Sequence, residues 1–119
     1  MTKKLNSRDN AHKPVDPLQT VTFDQLAKEW RRETRFASDL TEVFLNRAYQ
    51  RIIGMGPSAI PLIVESLRTR LDLWFWALEA IAGENPAEYV EVGDLEAKRE
   101  AWLLWAKVHG FSRPTAVGV

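Results

Sequence analysis

The side chains able to do chemistry are few and scattered along this chain. Histidine occurs twice, as His12 near the N-terminus and His109 near the end of the last apolar run, and cysteine is absent. Neither histidine has a thiolate or a second histidine one helical turn away to complete a metal pair. His109 is favoured beside a helix C-terminus simply by the helix dipole. Glu29 and Glu33 share the i, i+4 spacing of carboxylate metal sites in helical bundles, but no E-x-x-H helix accompanies them, so they read as a solvated face. Gly54-Met55-Gly56 lacks the G-x-x-x-x-G-K-[ST] pattern of a phosphate loop and follows no strand; it reads as a helix stop and then a helix start. The N–H groups after Pro57 could receive an anion, but no lysine follows to hold it. Ser58 lacks a G-x-S-x-G context and reads as a helix cap. The expectation is no catalytic residue, no cofactor, no metal, and a chain that is not an enzyme.

Two other groups of residues point to binding. The five tryptophans, Trp30, Trp74, Trp76, Trp102 and Trp105, come from three helical segments and read first as an aromatic core uniting them. Trp74, Phe75 and Trp76 are consecutive, however, and successive residues on a helix point about 100° apart. They cannot all face one small core, so this trio is the candidate partner-binding surface, with Phe75 and Trp76 its main anchors. The second group is Arg31, Arg32 and Arg35, joined by Arg47 and Arg51, as candidate phosphate contacts. Glu29, Glu33 and Glu42 are interleaved with these arginines and should cancel much of their field.

The elements that must position these residues are helical. Thr22 and Gln25 form a T-x-x-Q capping box, and Phe23, Leu26, Ala27 and Trp30 follow the i, i+3, i+4, i+7 pattern of a first helix. A second stretch runs from about Ser38 or Thr41 to Ile53, with Asn46 marking a kink and Gly54 and Gly56 ending it. Ser58 caps a third helix that carries Pro61 in its first turn and Ile60, Ile63, Val64 and Leu67 on one face. Thr69 to Leu71 form a turn, and Asp72 caps a fourth helix that is apolar nearly all round and stops at Gly83. An acidic loop over 84–94 leads to a last helix from about Leu95 to His109, with Ala101, Leu104, Trp105 and Val108 inward and Trp102 beside them. Only Tyr89 to Val92 approaches the alternation of a strand. Residues 1–20 read as a loosely attached tail, 21–111 as one helical domain and 112–119 as a frayed tail, although Phe111 could fold back onto the last helix.

Composition sets the outer bounds. A chain of 119 residues is one domain of ordinary size, large enough to bury a core without staples. Sixteen basic and sixteen acidic residues cancel, so net charge gives no reason to expect a nucleic-acid or membrane partner and would permit self-association near neutral pH. The charge is uneven: residues 83–96 carry five acidic and no basic side chains, a solvated loop or a dock for a basic partner. No apolar core marks MTKKLNSRDNAHKP as a secretory signal, and the run from Leu73 to Leu78 is far too short to span a bilayer. With no cysteine, a cytoplasmic location is the expectation.

The segment GMGPSAIPLIVESL followed by LDLWFWALEAIAG resembles a HEAT-like repeat. Gly56, Ala59, Ile60, Pro61 and Leu67 match the first half of that pattern, and Ala77, Leu78, Ala80, Ile81 and Gly83 the second; Trp74 and Trp76 depart from it by their bulk. The resemblance covers about 30 residues in a single copy, and solenoids need several to bury a core. It therefore implies a compact all-α bundle of about five helices containing one HEAT-like hairpin. The longer string AYQRIIGMG, AIPLI, WFWALEAI and GENP is similar to a group of small bacterial proteins, which implies a small cytoplasmic helical protein and carries no activity over. The function expected is a non-enzymatic interaction module, such as a small adaptor, an antitoxin-like chain or an inhibitor subunit. Its partner is another protein or a second copy of itself. The alternative is a nucleic-acid-binding accessory protein using the Arg31–Arg35 face and the basic N-terminal tail.

Overall fold

Asp16 and Pro17 start the first helix. Pro17 occupies the first helical turn, where its missing N–H is not needed, and the Asp16 carboxylate accepts from the Leu18 N–H at 3.0 Å. The computed structural model describes residues 16–111, so the remainder of the two expected tails lies outside the described residues. Helix α1 spans Pro17–Glu33, so Pro17 to Thr20 are helical. The Thr22–Gln25 capping box is not used: Thr22 lies inside the helix and its hydroxyl donates to the Leu18 carbonyl at 2.9 Å. An aspartate followed by proline outcompetes a threonine six residues later.

Asn46 breaks the second stretch in two. Helix α2 is Leu40–Phe44, capped by Asp39, and helix α3 is Arg47–Gly54, capped by the Asn46 side-chain Oδ1 accepting from the Tyr49 N–H. Gly56 takes a left-handed φ of 73°, which redirects the chain into a short 3₁₀ turn, Gly56–Ala59. Helix α4 follows at Ile60–Thr69, with Pro61 in its first turn. Ser58 does not cap it. Its hydroxyl donates to the Met55 carbonyl and accepts from Gln19 Nε2, each at 3.0 Å, and so ties the 3₁₀ turn to α1. Helix α5 is Phe75–Ala82, closed by Gly83 at φ 78°. Helix α6 is Leu95–Val108, capped by Asp94. Tyr89 to Val92 form no strand; successive tight turns close from Ala87 to Val90 and from Glu91 to Asp94.

The architecture is an all-α bundle, with no strand among the described residues. Helix α1 packs on α3, α3 on α5 and α4 on α6. Its core is aromatic where α1, α3 and the start of α5 meet. Tyr49 stacks on Trp74 at 5.6 Å between ring centres, and Trp30 lies 4.5 Å from Trp74 and 5.0 Å from Tyr49. Trp30 donates its indole N–H to the Val43 carbonyl, whereas those of Trp74 and Trp105 are buried and find no acceptor among the described residues. Burying an aromatic side chain removes about 150–250 Å² from water, worth roughly 4–6 kcal/mol, against about 1–3 kcal/mol for an unmet N–H. The rings therefore stay inside despite that loss.

Two expectations about helix ends and faces are corrected here. Asp72 does not cap α5, which has no side-chain cap of its own. The Tyr49 hydroxyl serves instead, accepting from the Ala77 N–H at 3.0 Å and donating to the Leu73 carbonyl at 2.8 Å. In α6, Leu104 and Val108 face out, while Trp102, Trp105 and Ala106 face in. Trp105 stacks against both His109 and Phe111, and Phe111 folds back through its N–H onto the Ala106 carbonyl at 2.7 Å.

Burial pushes the Tyr49 phenol well above its ordinary value of about 10, and the Ala77 N–H offsets only part of that. Because the folded phenol stays protonated longer than the unfolded one, its contribution is complete below about pH 10 and is lost above it, at about 1.4 kcal/mol per pH unit. Tyr49→Phe should cost about 1–3 kcal/mol at pH 7, since it leaves the Ala77 N–H unmet. Urea unfolding of wild type and variant should then converge as pH rises past about 10; parallel curves would contradict this role.

Candidate functional site

The rotation of α5 decides which aromatic residues reach the surface. Trp74 is 0% exposed and Trp76 40% exposed, with Phe75 between them and half-buried. Trp74 is therefore a core residue with no surface to offer a partner, and the trio reduces to Phe75 and Trp76. The geometry of about 100° per residue places Trp74 and Trp76 some 200° apart, so burying one turns the other out.

Phe75 and Trp76 line one wall of a groove of about 270 Å³. Phe44 of α2 meets Trp76 edge-on at 4.6 Å. Leu40 from α2 and Val92 from the acidic loop also line the groove, 56% and 84% exposed respectively, and the buried Trp102 of α6 lines it from the core side. Leu73 and Leu95 complete the apolar lining, and Glu79 and Lys98 supply one charge of each sign. Leu40 and Val92 are the most exposed of the contributors that reading the sequence missed, which also include Phe44, Leu73, Leu95 and Trp102. The signal was there for Val92: an apolar residue, with Tyr89 three positions before it, inside a loop otherwise rich in carboxylates. Both are strongly exposed.

The arginines separate into two sets. Arg31, Arg32 and Arg35 line a second cleft, of about 720 Å³, together with Lys28 of α1 and Arg70 of the α4–α5 turn. Arg47 and Arg51 are exposed on α3 and do not line it. Arg31 is held in place: its Nε and Nη2 reach Asp72 Oδ2 at 3.0 and 2.9 Å, and Nη2 also donates to Ser66 Oγ at 3.3 Å. The glutamates interleaved with these arginines in the sequence do not line this cleft. Glu33 and Glu42 line a different depression, where Glu33 accepts from Asn46 Nδ2 at 2.9 Å and Glu42 from the Ser38 N–H at 3.1 Å, and Glu29 lines neither.

Among the described residues, no three His, Cys, Asp or Glu side chains gather closely enough to hold a metal ion, and no helix is long and apolar enough to cross a membrane. His109 directs Nδ1 at the Trp105 carbonyl at 2.9 Å, which uses that nitrogen as a donor. His12 lies outside the described residues. Comparison of this chain with protein-family models, with curated proteins and with solved structures finds no match.

The two neighbouring tryptophans should separate cleanly in unfolding experiments. Trp74→Ala should cost about 3–5 kcal/mol by opening a cavity in the aromatic core. Trp76→Ala should cost about 1 kcal/mol. Urea denaturation followed by far-ultraviolet circular dichroism measures both, and equal losses would contradict this division between core and surface.

Proposed function

We propose that this chain is a non-enzymatic protein-interaction module, a small adaptor or inhibitor-type subunit, that receives apolar side chains of another protein in the groove beside Trp76. The observation that supports this reading most is the exposure of Leu40, Trp76 and Val92 around one apolar groove. Three separate elements, α2, α5 and the acidic loop, supply these residues, and none gains stability by leaving them in water.

The size of the groove selects the kind of occupant. At about 270 Å³ it falls just below the roughly 300–1,000 Å³ of small-molecule and cofactor pockets. It suits one or two large side chains from the apolar face of a partner helix, the arrangement in which anchors at i and i+3 or i+4 enter a preformed cleft. Glu79 and Lys98 can fix register without a large desolvation cost. The HEAT-like reading of the α4–α5 pair belongs to the same proposal, since its role would be to present α5 to a partner.

Trp76→Ala should abolish retention of the partner while leaving the helical spectrum unchanged; loss of an aromatic anchor at an interface centre costs about 2 kcal/mol or more, some thirtyfold in affinity. The test is a pull-down with the full chain as bait, run beside Trp76→Ala and an Arg47→Gln control, with light scattering on each bait. A protein retained by wild type and control but lost from the Trp76 variant supports the reading. Equal retention by all three sinks it, as does a wild-type chain that only dimerises.

A further inference from the structure

The cationic cleft is separate from the docking groove and is unexplained by it. Lys28, Arg31, Arg32 and Arg35 follow one another at i, i+3, i+4 and i+7, so they form a stripe of like charge along α1 and just past its end. Arg70 faces the stripe from the turn after α4. Like charges at this spacing repel. Five cations and the single carboxylate of Asp72 leave an excess of four positive charges (5 − 1 = 4) in one concavity. Asp72 is already engaged by Arg31 at 2.9 Å and lies 3.6 Å from Arg70 Nε. Lys28, Arg32 and Arg35 form no ion pair among the described residues.

Helix dipoles give the ordinary reason for basic residues here, because α1 and α4 both end beside the cleft. Each end contributes about half a negative charge, so two ends remove about one charge and leave about three unanswered. The dipole also acts only within the last turn, which leaves Lys28 without a reason.

We infer that this cleft binds the phosphates of a small di- or triphosphate-bearing molecule. A terminal phosphate carries roughly −1.5 to −2 charge at neutral pH, so two or three linked phosphates match the excess in a compact volume. Guanidinium groups meet phosphate oxygens through paired N–H donors, and Arg31 is already fixed by Asp72 and Ser66 with little side-chain freedom left to lose. The volume of about 720 Å³ lies inside the range of small-molecule sites. Val43, Leu71 and Leu73 give the cleft an apolar side against which the rest of the ligand can lie. The absence of Arg47 and Arg51 from the cleft argues against an extended nucleic-acid track, which would need the basic residues in a continuous line.

Isothermal titration of the full chain with inorganic tripolyphosphate tests this, beside the double variants Arg32→Gln/Arg35→Gln and Arg47→Gln/Arg51→Gln and a single-stranded oligonucleotide. The expected result is one saturable site that falls at least tenfold in affinity in the first variant, is unchanged in the second and weakens with added salt. Tripolyphosphate should also raise the thermal midpoint of wild type and not of the first variant, whose own midpoint without ligand should be no lower than wild type. Should that variant fail to fold, Arg70→Gln, on a different element, carries the same expectation. No saturable binding overturns the inference. So does equal weakening in both double variants, or binding of the oligonucleotide without binding of tripolyphosphate.

Discussion

The hydroxyl of Tyr49 holds the arrangement on which the other parts depend. It bridges two backbone groups on either side of Trp74, donating to the Leu73 carbonyl and accepting from the Ala77 N–H. A helix of eight residues is too short to be stable alone, and α5 lacks a side-chain cap. Its first turn is satisfied by a phenol from another helix, which makes α5 conditional on α3 being in place. The same bridge seats Trp74 flat against the Tyr49 ring, where Trp30 and Phe23 close around it. One side chain thus serves both the start of α5 and the packing of the core.

From that contact the surface follows by geometry. With Trp74 inward, Trp76 must face outward on the other side of α5, toward Phe44. With Tyr49 capping α5, the Asp72 carboxylate is released from the role its position suggests. It turns to Arg31, and in doing so anchors one member of a row of cations that has no other carboxylate in its cleft. A groove of apolar residues and a cleft of basic ones both trace to the choice between two caps for one helix.

That choice explains what could and could not be read from the sequence. Local signals were legible. Asn46 marked an interruption of the second helical stretch, which the structure makes a full break, Gly83 ended α5, and the last helix began at Leu95. The concentration of tryptophan foretold an aromatic core, and the consecutive Trp74, Phe75 and Trp76 foretold that one of them would be left out of it. Two of the failures share a cause, which is competition from residues distant in the chain. Asp72 and Ser58 are both good caps by type, yet each is drawn away by a tertiary partner, Arg31 in one case and Gln19 in the other. In α6, both the stripe of Leu104 and Val108 and that of Trp102, Trp105 and Ala106 fit a helical period. Periodicity alone does not say which turns inward; the larger aromatic area wins. The candidate site was legible in Phe75 and Trp76. Its other walls, Leu40 and Val92, come from elements whose proximity only the fold creates.

The groove and the cleft share Leu73, which lines both. A shared residue invites the idea that occupying one surface would alter the other. Coupling requires an element with two arrangements that the two ligands favour unequally. The turn that carries Leu73 is fastened at two points. Its carbonyl holds the Tyr49 hydroxyl, and the adjacent Asp72 holds Arg31, itself bonded to Ser66 of α4. Moving Leu73 would break a part-buried hydrogen bond and a part-buried ion pair together, while the rings of Tyr49 and Trp74 would lose their stacking. Packed contacts of this kind switch between discrete states and do not bend gradually, and every fastening observed here belongs to one state. The turn therefore acts as a rigid wall between the two surfaces, and the fastenings that hold it give neither surface a second arrangement through which to alter the other.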